Sequence, residues 1–418
     1  MQWRRLFHAR WSALVPVLVV AFLSGCADGA PLATSAQQPV STAPTPPEQP
    51  LLSAPTPTVE IPPAPTALTI PPTPTPLPVK THTLLFSGDV LSHTPVIARA
   101  LANGAKSDWA YDYRPMFADV SPRVSQADLA ICVLETPVSP DNTGLDGYPT
   151  FNAPRELSDA LIDAGYDGCS TASNHSMDRG PSGVRTTLEQ MDRVGLGHAG
   201  MARSSDEALS PRIYDVRDMR VAHLSYTYGL NGFVLPEDEP WLVNVNNAAE
   251  IIAEARRAKD AGVDIVVLSI QWGNEYQREP STAQEQLAIT LTRSEVIDVI
   301  IGNHAHVVQP VTEVNGVPVV YGLGNSLSNQ SDNCCRVGTQ DGVMVEVTLR
   351  GNQSVGYEVG GLAFAPTWVD RSTYTIIDLL SALDDDSLDP DVRATYQRSF
   401  DRTVEAIQLL GAELPLAS

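Results

Sequence analysis

The chain is poor in positive charge. It has 27 lysine and arginine residues against 49 aspartate and glutamate residues, which gives a formal net charge of -22 at pH 7. Because an acidic surface repels the phosphate backbone of DNA and RNA, the composition argues against nucleic-acid binding. The same charge repels other polyanions unless a metal ion or a local basic patch offsets it where they bind.

Cysteine is also scarce, with five residues in a chain of 418. No pair has the Cys-x-x-Cys spacing, so a structural zinc site of that kind is not supported. Cys132 and Cys169 lie in apolar runs, and we expect both to be buried thiols. Cys334 and Cys335 are adjacent in a loop, and the sequence leaves open whether they pair with each other, pair with other cysteines or stay free.

The apolar segment at 11–22 is too short for a membrane span, which needs about 20 apolar residues. It follows a basic stretch with three arginines, and small residues close it, as is typical of a secretory signal. Residues 23–26, Leu-Ser-Gly-Cys, match the lipobox of bacterial lipoproteins, which implies cleavage before Cys26 and lipid attachment to its sulfur. We therefore expect a lipoprotein signal peptide at 1–26 and an extracytoplasmic protein anchored to the cell membrane. A short uncleaved anchor is the alternative.

Residues 27–80 are rich in proline, threonine, alanine and serine. Proline fixes φ and removes a hydrogen-bond donor, so this stretch favours extended polyproline II over a packed core. We expect a disordered linker that separates the membrane from a folded domain at 81–370. A helical segment is expected at 371–418.

Strands and helices alternate along the first part of 81–370, and hairpins come late. The helix expected at 154–164 has its apolar residues on one face, and the Asn315-Gly316 pair marks a hairpin turn. This order predicts an α/β domain of mixed sheets with helices outside. Functional loops should then gather at the carboxyl ends of the strands.

One such loop is expected within the stretch 299–310, Val-Ile-Ile-Gly-Asn-His-Ala-His-Val-Val-Gln-Pro. A β-branched run reaches Gly302, which allows a sharp exit from the strand. His304 and His306 follow one residue apart, where two imidazoles can converge on one point and bind a metal. The alternative is a pair of ordinary hydrogen-bonding loop histidines.

Other strand ends carry polar residues of the same kind, namely Asp89, Glu135, Asn174 with His175, and Gln271 with Glu275. Oxygen and imidazole donors together fit one or two divalent ions of Mn, Fe or Zn. Each residue also has an ordinary alternative. Asp89 could be a helix cap, Glu135 a solvated residue and Asn174 a turn residue. His175 could be a hydrogen-bonded loop histidine, and Gln271 and Glu275 could be supporting or structural residues. We expect His93 to be a surface residue or a cap.

Taken in order, these motifs resemble those of the capsule-synthesis CapA family. The motifs are Gly88-Asp89-Val90, Leu134-Glu135-Thr136-Pro137, Ser173-Asn174-His175 with Asp178 and Gly180, Gln271-Trp272-Gly273 with Glu275-Tyr276, Gly302 with His304, His306-Val307 and Gln309-Pro310, and Tyr321 with Leu323-Gly324-Asn325. That family is linked to poly-γ-glutamate capsule production and is related to the calcineurin-like metallophosphoesterases. The resemblance covers roughly 82–370 and implies a four-layer α/β/β/α sandwich, which a C-terminal helical extension would follow.

The resemblance also implies the role of each residue. The metal ligands would be Asp89, Glu135, Asn174, His304 and His306, with Glu135 as the bridging carboxylate. His175 would donate a proton or orient the substrate. The residues that would support the ligands, or act as ligands themselves, are Asp178, Gln271 and Glu275. Two positions depart from the related patterns. Leu91 stands where metallophosphoesterases usually have a histidine, and Gln271 stands where CapA-type sequences often have one.

Two functions follow from the resemblance. The first is an exported metal-dependent hydrolase that cleaves a phosphoester or a γ-glutamyl amide during capsule or envelope-polymer synthesis. The second is a non-catalytic accessory subunit of a poly-γ-glutamate or other envelope-polymer synthesis or export complex, which the departures at Leu91 and Gln271 favour. In both cases the expected partners are the membrane, through lipidated Cys26, and the polymer machinery.

Overall fold

The computed structural model describes residues 77–418. The signal peptide expected at 1–26, its lipidated Cys26 and nearly all of the linker expected at 27–80 lie outside these residues. Within 77–418, none of the helices combines the length and the apolar character that crossing a membrane requires.

The described residues form strands and helices that alternate before a late antiparallel region. The strands are β1 (Lys80–Val90), β2 (Leu129–Leu134), β3 (Gly168–Ser170), β4 (Gly197–Ala199), β5 (Arg212–Val216), β6 (Met219–Tyr226), β7 (Ile265–Gln271), β8 (Val299–Asn303), β9 (Val311–Val314), β10 (Val317–Val320), β11 (Asn325–Leu327), β12 (Asp341–Asn352), β13 (Gly356–Asp370) and β14 (Thr375–Asp378). The helices are α1 (Thr94–Gly104), α2 (Arg114–Phe117), α3 (Ser121–Val124), α4 (Glu156–Asp163), α5 (Gly180–Val194), α6 (Ser205–Ala208), α7 (Ala248–Asp260), α8 (Thr282–Thr292), α9 (Leu379–Asp384) and α10 (Pro390–Ile407).

The strands form two mixed sheets. The first has the order β14-β13-β12-β1-β2-β3-β4, with β11 beside the end of β1. Its β1 to β4 part is parallel and its β12 to β14 part is antiparallel. The second sheet has the order β5-β6-β7-β8-β10-β9, with a parallel centre and an antiparallel pair at each edge. Parallel neighbours bring several strand ends to the same edge of each sheet.

Three apolar cores separate four layers. Successive side chains of a strand point to opposite faces, so Leu84 and Phe86 enter the core between the sheets while Leu85 packs under the outer helices of the first sheet. A third core lies between the second sheet and helices α7 and α8, where Ile251 and Ala288 are buried. The predicted four-layer α/β/β/α arrangement is confirmed.

The C-terminal segment differs in part from the expectation. Helices α9 and α10 are present, but the residues before them form β14, which pairs with β13 and extends the first sheet beyond residue 370. The apolar run Thr-Ile-Ile-Asp-Leu-Leu at 375–380 is too short for its periodicity to separate a strand from a helix. Its β-branched Ile376 and Ile377 lie in the strand, and Ile377 is opposite Trp368 of β13.

The prediction of two buried thiols at Cys132 and Cys169 was wrong in one respect. Both side chains are buried, but they are joined in a disulfide. The parallel register of β2 and β3 places the two residues directly opposite each other, with Cα atoms 4.4 Å apart. Their sequence separation of 37 gave no sign of this pairing, because it depends on which strands become neighbours. Among the described cysteines, Cys334 and Cys335 are free.

Candidate metal centre

Strand ends from both sheets bring a group of buried ligand-type side chains together. Asp89 lies near the end of β1, Glu135 follows β2, and His304 and His306 follow β8. The Nδ1 atom of His306 is 3.2 Å from Oδ2 of Asp89, and its Nε2 atom is 4.0 Å from Oε1 of Glu135. One ligand atom each of Glu135, His304 and His306 lies within 4.8 Å of the others. Four of the predicted metal ligands therefore share one site.

The backbone after β8 places the two histidines. Both have positive φ, 92° for His304 and 55° for His306, which is uncommon for residues with a side chain and typical of strained functional loops. Gly302 has a different role from the expected sharp turn. A Cβ atom there would be 2.1 Å from the carbonyl oxygen of Tyr321 and 2.4 Å from the indole nitrogen of Trp272. Glycine is needed because neighbouring chain segments pass close to β8.

Several buried polar atoms of this group and of the neighbouring Asn174 have no hydrogen-bond partner within residues 77–418. They are Oδ1 of Asp89, both carboxylate oxygens of Glu135, Oδ1 of Asn174 and Nδ1 of His304. Buried polar atoms are normally paired, because an unpaired one loses its hydration without compensation. Oxygen and imidazole nitrogen atoms are also the donors that divalent Mn, Fe and Zn accept. The donor set therefore fits a divalent cation.

Charge and burial shape the titration of these groups. Burial raises the pKa of Glu135, and the nearby Asp89 carboxylate raises it further, to about 8. Burial acts to lower the pKa of His306, but Glu135 and Asp89 outweigh it and bring that pKa to about 9. Burial and the neighbouring His306 lower the pKa of His304 to about 3. His304 is therefore a neutral imidazole near pH 7, the form that ligates metals.

Asn174 and Gln271 lie beside the group, but their contacts differ from those of the carboxylates. Oε1 of Gln271 accepts hydrogen bonds from the backbone nitrogen of Asn174 at 2.8 Å and from the hydroxyl of Thr227 at 2.9 Å. The side-chain nitrogen of Asn174 donates to Asn231 at 3.2 Å, which leaves its Oδ1 without a partner among the described residues. Gln271 thus holds the Asn174 loop in place, and Asn174 keeps an oxygen for a ligand.

His175 and Asp178 form a separate pair next to the centre. Nδ1 of His175 is 2.8 Å from Oδ2 of Asp178, and the same oxygen accepts from the backbone nitrogen of Phe151 at 2.7 Å. The ring of Phe151 packs edge-on against that of His175, with centroids 4.7 Å apart. A carboxylate on Nδ1 fixes the orientation of the ring. The other ring nitrogen, Nε2, has a long contact of 3.4 Å with the side-chain nitrogen of Asn231.

A cavity of about 390 Å³ adjoins the centre. Its wall includes Leu91, His93, Tyr148, Phe151, His175, Glu275, Tyr276, His306, Asn329, Gln330, Cys334 and Cys335. Glu275 is exposed on this wall, and no hydrogen bond joins it to the four buried ligand-type residues within the described part of the chain. The wall combines aromatic rings with many polar side chains, and a concave site of this size can hold a small molecule.

The sequence agrees with one family model. The model of the bacterial capsule synthesis protein PGA_cap matches residues 83–330, more than half of the 418-residue chain. The chain belongs to this family. All of the strand ends that supply the centre lie within the matched residues of this PGA_cap protein, so the predicted membership is confirmed.

Two curated relatives agree with the family. The PGA_cap protein is 26% identical over 277 residues to the capsule biosynthesis protein CapA of Bacillus anthracis, a match that covers 65% of this chain and 64% of that relative. It is 30% identical over 209 residues to the PGA biosynthesis protein CapA of Bacillus subtilis, covering 49% and 53%. The chain thus spans between half and two thirds of the length of these relatives.

Among solved structures, the PGA_cap protein is similar to the calcineurin-like phosphoesterase YfkN of Bacillus subtilis. The match has a TM-score of 0.43 and 15% sequence identity, and it covers 78% of this chain and 99% of that one.

Sequence reasoning missed several residues around the centre. The ring of Tyr228 lies 4.3 Å from that of His304, centroid to centroid, and Oδ1 of Asn325 is 3.1 Å from Nδ1 of His306. His93 sits at the N-cap position of α1 without a side-chain cap and lines the cavity instead. The Tyr-Gly-Leu-Asn-Gly sequence at 228–232 was the available signal for Tyr228, since the two glycines that follow it indicate an irregular loop.

Proposed function

We propose that this PGA_cap protein is a metal-dependent hydrolase of capsule or envelope-polymer synthesis, with a phosphoester or a γ-glutamyl amide as the bond cleaved. The observation that supports it best is the convergence of buried donor atoms from Glu135, His304 and His306, which lie within 4.8 Å of one another beside Asp89. Asp89, Glu135, Asn174, His304 and His306 would hold one or two divalent ions of Mn, Fe or Zn. When bound, such an ion polarises the scissile group and lowers the pKa of a water molecule.

The residues around the ion position have distinct tasks in this proposal. Asp178 holds His175 through Nδ1, so that Nε2 faces the leaving group and can donate a proton to it. Gln271 fixes the Asn174 loop through its backbone nitrogen. The buried side chains of Leu91 and Phe151 exclude water from their side of the reacting bond, which strengthens the electrostatic interactions there.

The experiment that tests the proposal uses purified full-length protein. Metal content is measured after purification without chelator, and hydrolysis of a phosphoester and poly-γ-glutamate panel is assayed with added Mn²⁺. We expect a bound transition metal and hydrolysis of one class of bond. The double variant His304→Ala, His306→Ala should lose both, while His198→Ala, a histidine of β4 that pairs with Asp192, should keep both. Protein with no bound metal and no hydrolysis would exclude the enzyme.

A second candidate function has one observation in its favour. Gln271 stands where CapA-type sequences often have a histidine, and its side-chain oxygen already accepts two hydrogen bonds. A centre with fewer ligands suits a non-catalytic accessory subunit of an envelope-polymer synthesis or export complex. Polymer output that survives the double histidine variant in cells would favour this function, whereas output that falls with metal loss favours the hydrolase.

We also propose that lipid on Cys26 holds the protein at the outer face of the cell membrane, where it meets the polymer machinery. The support is the Leu-Ser-Gly-Cys sequence at 23–26. Cell fractionation of a Cys26→Ala variant tests this. The variant should leave the membrane fraction or keep its signal peptide, and unchanged membrane attachment with a processed N-terminus would contradict lipid anchoring.

A further inference from the structure

Two adjacent thiols form part of the cavity wall beside the centre. Cys334 is exposed and Cys335 is partly buried, and both line the cavity to which His175 and His306 also contribute. The proposed hydrolase chemistry uses neither sulfur. The remaining described cysteines, Cys132 and Cys169, are buried and already bonded. The cavity therefore presents one reactive dithiol to small molecules.

The two thiols have different surroundings. The sulfur of Cys334 accepts a hydrogen bond from the backbone nitrogen of Ser331 at 3.3 Å, and Cys335 lies beside the hydroxyl of Tyr276. Burial acts to raise the pKa of Cys334, but hydrogen bonds from Cys335 and Ser331 outweigh it and lower that pKa. Burial raises the pKa of Cys335. Cys334 is therefore the better attacking group, because its sulfur is exposed and has more thiolate character. Cys335 is adjacent and can attack a mixed disulfide formed on Cys334.

We propose that Cys334 and Cys335 form a redox-modification site on the cavity wall, in which Cys334 attacks a small disulfide and Cys335 closes the pair into a vicinal disulfide. The sulfur of Cys334 displaces one thiolate from the small disulfide and forms a mixed disulfide. The sulfur of Cys335 then attacks Cys334 and displaces the second thiolate. The two cysteines lose two electrons and two protons, which the two released thiols carry away.

A disulfide between neighbours is reversible for a geometric reason. Consecutive Cα atoms are about 3.8 Å apart. Disulfides usually span about 4.4–6.8 Å between Cα atoms, so a vicinal one is strained. Strained and exposed disulfides are the readily reduced ones. We expect the closed form to open again with a dithiol reductant.

The position of the two cysteines connects a disulfide between them to the candidate metal centre. Tyr276, which neighbours Cys335, has its ring 6.1 Å from that of His306, and its hydroxyl accepts from Gln330 at 3.4 Å. Gln330 in turn accepts from Asn325, whose Oδ1 lies 3.1 Å from Nδ1 of His306. Closure of the pair would therefore change the wall that faces the centre. The thiol chemistry itself does not depend on the proposed hydrolase.

Peptide mass spectrometry of the full-length protein tests the site, with oxidised glutathione as the probe. After acid quench and alkylation, trypsin releases peptide 294–336, whose cysteines are Cys334 and Cys335 alone. We expect the wild-type peptide to be two hydrogens lighter, with no glutathione attached, and to return to two alkylated thiols after dithiothreitol. The linked peptides 124–155 and 156–179, which carry the buried disulfide, are the internal control and should not change.

Matched single variants test the two roles. Cys335→Ser should accumulate a stable glutathione adduct on Cys334, because the resolving sulfur is gone. Cys334→Ser should form its adduct at least about fivefold more slowly, since Cys335 is the less exposed and less acidic thiol. A wild-type peptide that stays reduced or keeps glutathione overturns the proposal. Equal adduct rates in the two variants overturn the assigned roles.

Discussion

The two halves of the centre use their polar atoms differently. One half is built by Asp89, Glu135, His304 and His306. Several of its carboxylate and imidazole atoms are buried without partners among residues 77–418. In the other half, the side-chain oxygen of Gln271 holds the backbone of the Asn174 loop and the hydroxyl of Thr227. The first half resembles an open set of ligands and the second a hydrogen-bonded support. We therefore expect the proposed cation to be held mainly by the first half.

The largest expected effect comes from His306→Ala, which removes the imidazole that lies between two buried carboxylates. Mn²⁺ affinity measured by calorimetry should fall by more than about 100-fold, since loss of a supporting group alone costs about 10–100-fold. Without added metal, the free energy of unfolding should fall by about 3–5 kcal/mol, because Asp89 and Glu135 are left unpaired. His198→Ala is the control. Wild-type Mn²⁺ affinity in His306→Ala would contradict the assignment of the first half.

Glu135→Gln separates cation binding from stability. It should weaken Mn²⁺ binding by about 100-fold. In the metal-free protein it should raise Tm by about 2–4 °C, because it removes one of two repelling buried carboxylates. Glu254→Gln, a buried glutamate on α7 that accepts from Tyr226, should leave Mn²⁺ binding unchanged. A lower Tm in metal-free Glu135→Gln would mean that this carboxylate is a structural partner and not an open ligand.

Asp178→Asn tests the pair that lies outside both halves. The amide no longer anchors the His175 ring as a carboxylate does, so kcat of the proposed hydrolase should fall by about 100-fold, the lower end of the range for a proton donor. Mn²⁺ affinity should stay the same, because neither residue belongs to the open ligand set. If calorimetry shows that Mn²⁺ affinity falls with kcat, His175 and Asp178 would have to be counted among the residues that hold the cation.

The smallest effect is a gain. Gln271→His replaces an amide by an imidazole, the side chain that CapA-type sequences often have at this position. Mn²⁺ affinity should then rise by about tenfold, or a second ion should bind. Gln190→His, on the outer helix α5, provides a control histidine. A decrease in the variant's affinity would indicate that the hydrogen bond from Asn174 matters more to the centre than an additional imidazole.

The sequence predicted the strand ends of the centre because each follows a short, continuous apolar run. Asp89, Glu135 and the two histidines after Gly302 were found in this way, although they come from two different sheets. The positive φ of His304 and the close passage of Tyr321 past Gly302 could not be foreseen, because both depend on contacts between distant segments.

Other parts were missed for related physical reasons. The disulfide of Cys132 requires knowledge of the β2–β3 register, and β14 is too short for a periodic signal. Tyr228 reaches His304 from an irregular loop, where no repeating pattern indicates which side chain faces inward. Neighbouring residues indicate the local secondary structure, whereas the contacts that complete a site depend on the tertiary fold.

Successive side chains of β1 point to opposite faces of the sheet, so the position of each residue along β1 determines which core it enters. Leu84 and Phe86 belong to one core and Leu85 to another, and Asp89 stands three residues further on. Inserting or deleting a single residue before Asp89 would exchange the two cores and turn the carboxylate away from the histidines. Alignments of related sequences should therefore need no gap between 84 and 89, and chimeras should be joined outside this stretch.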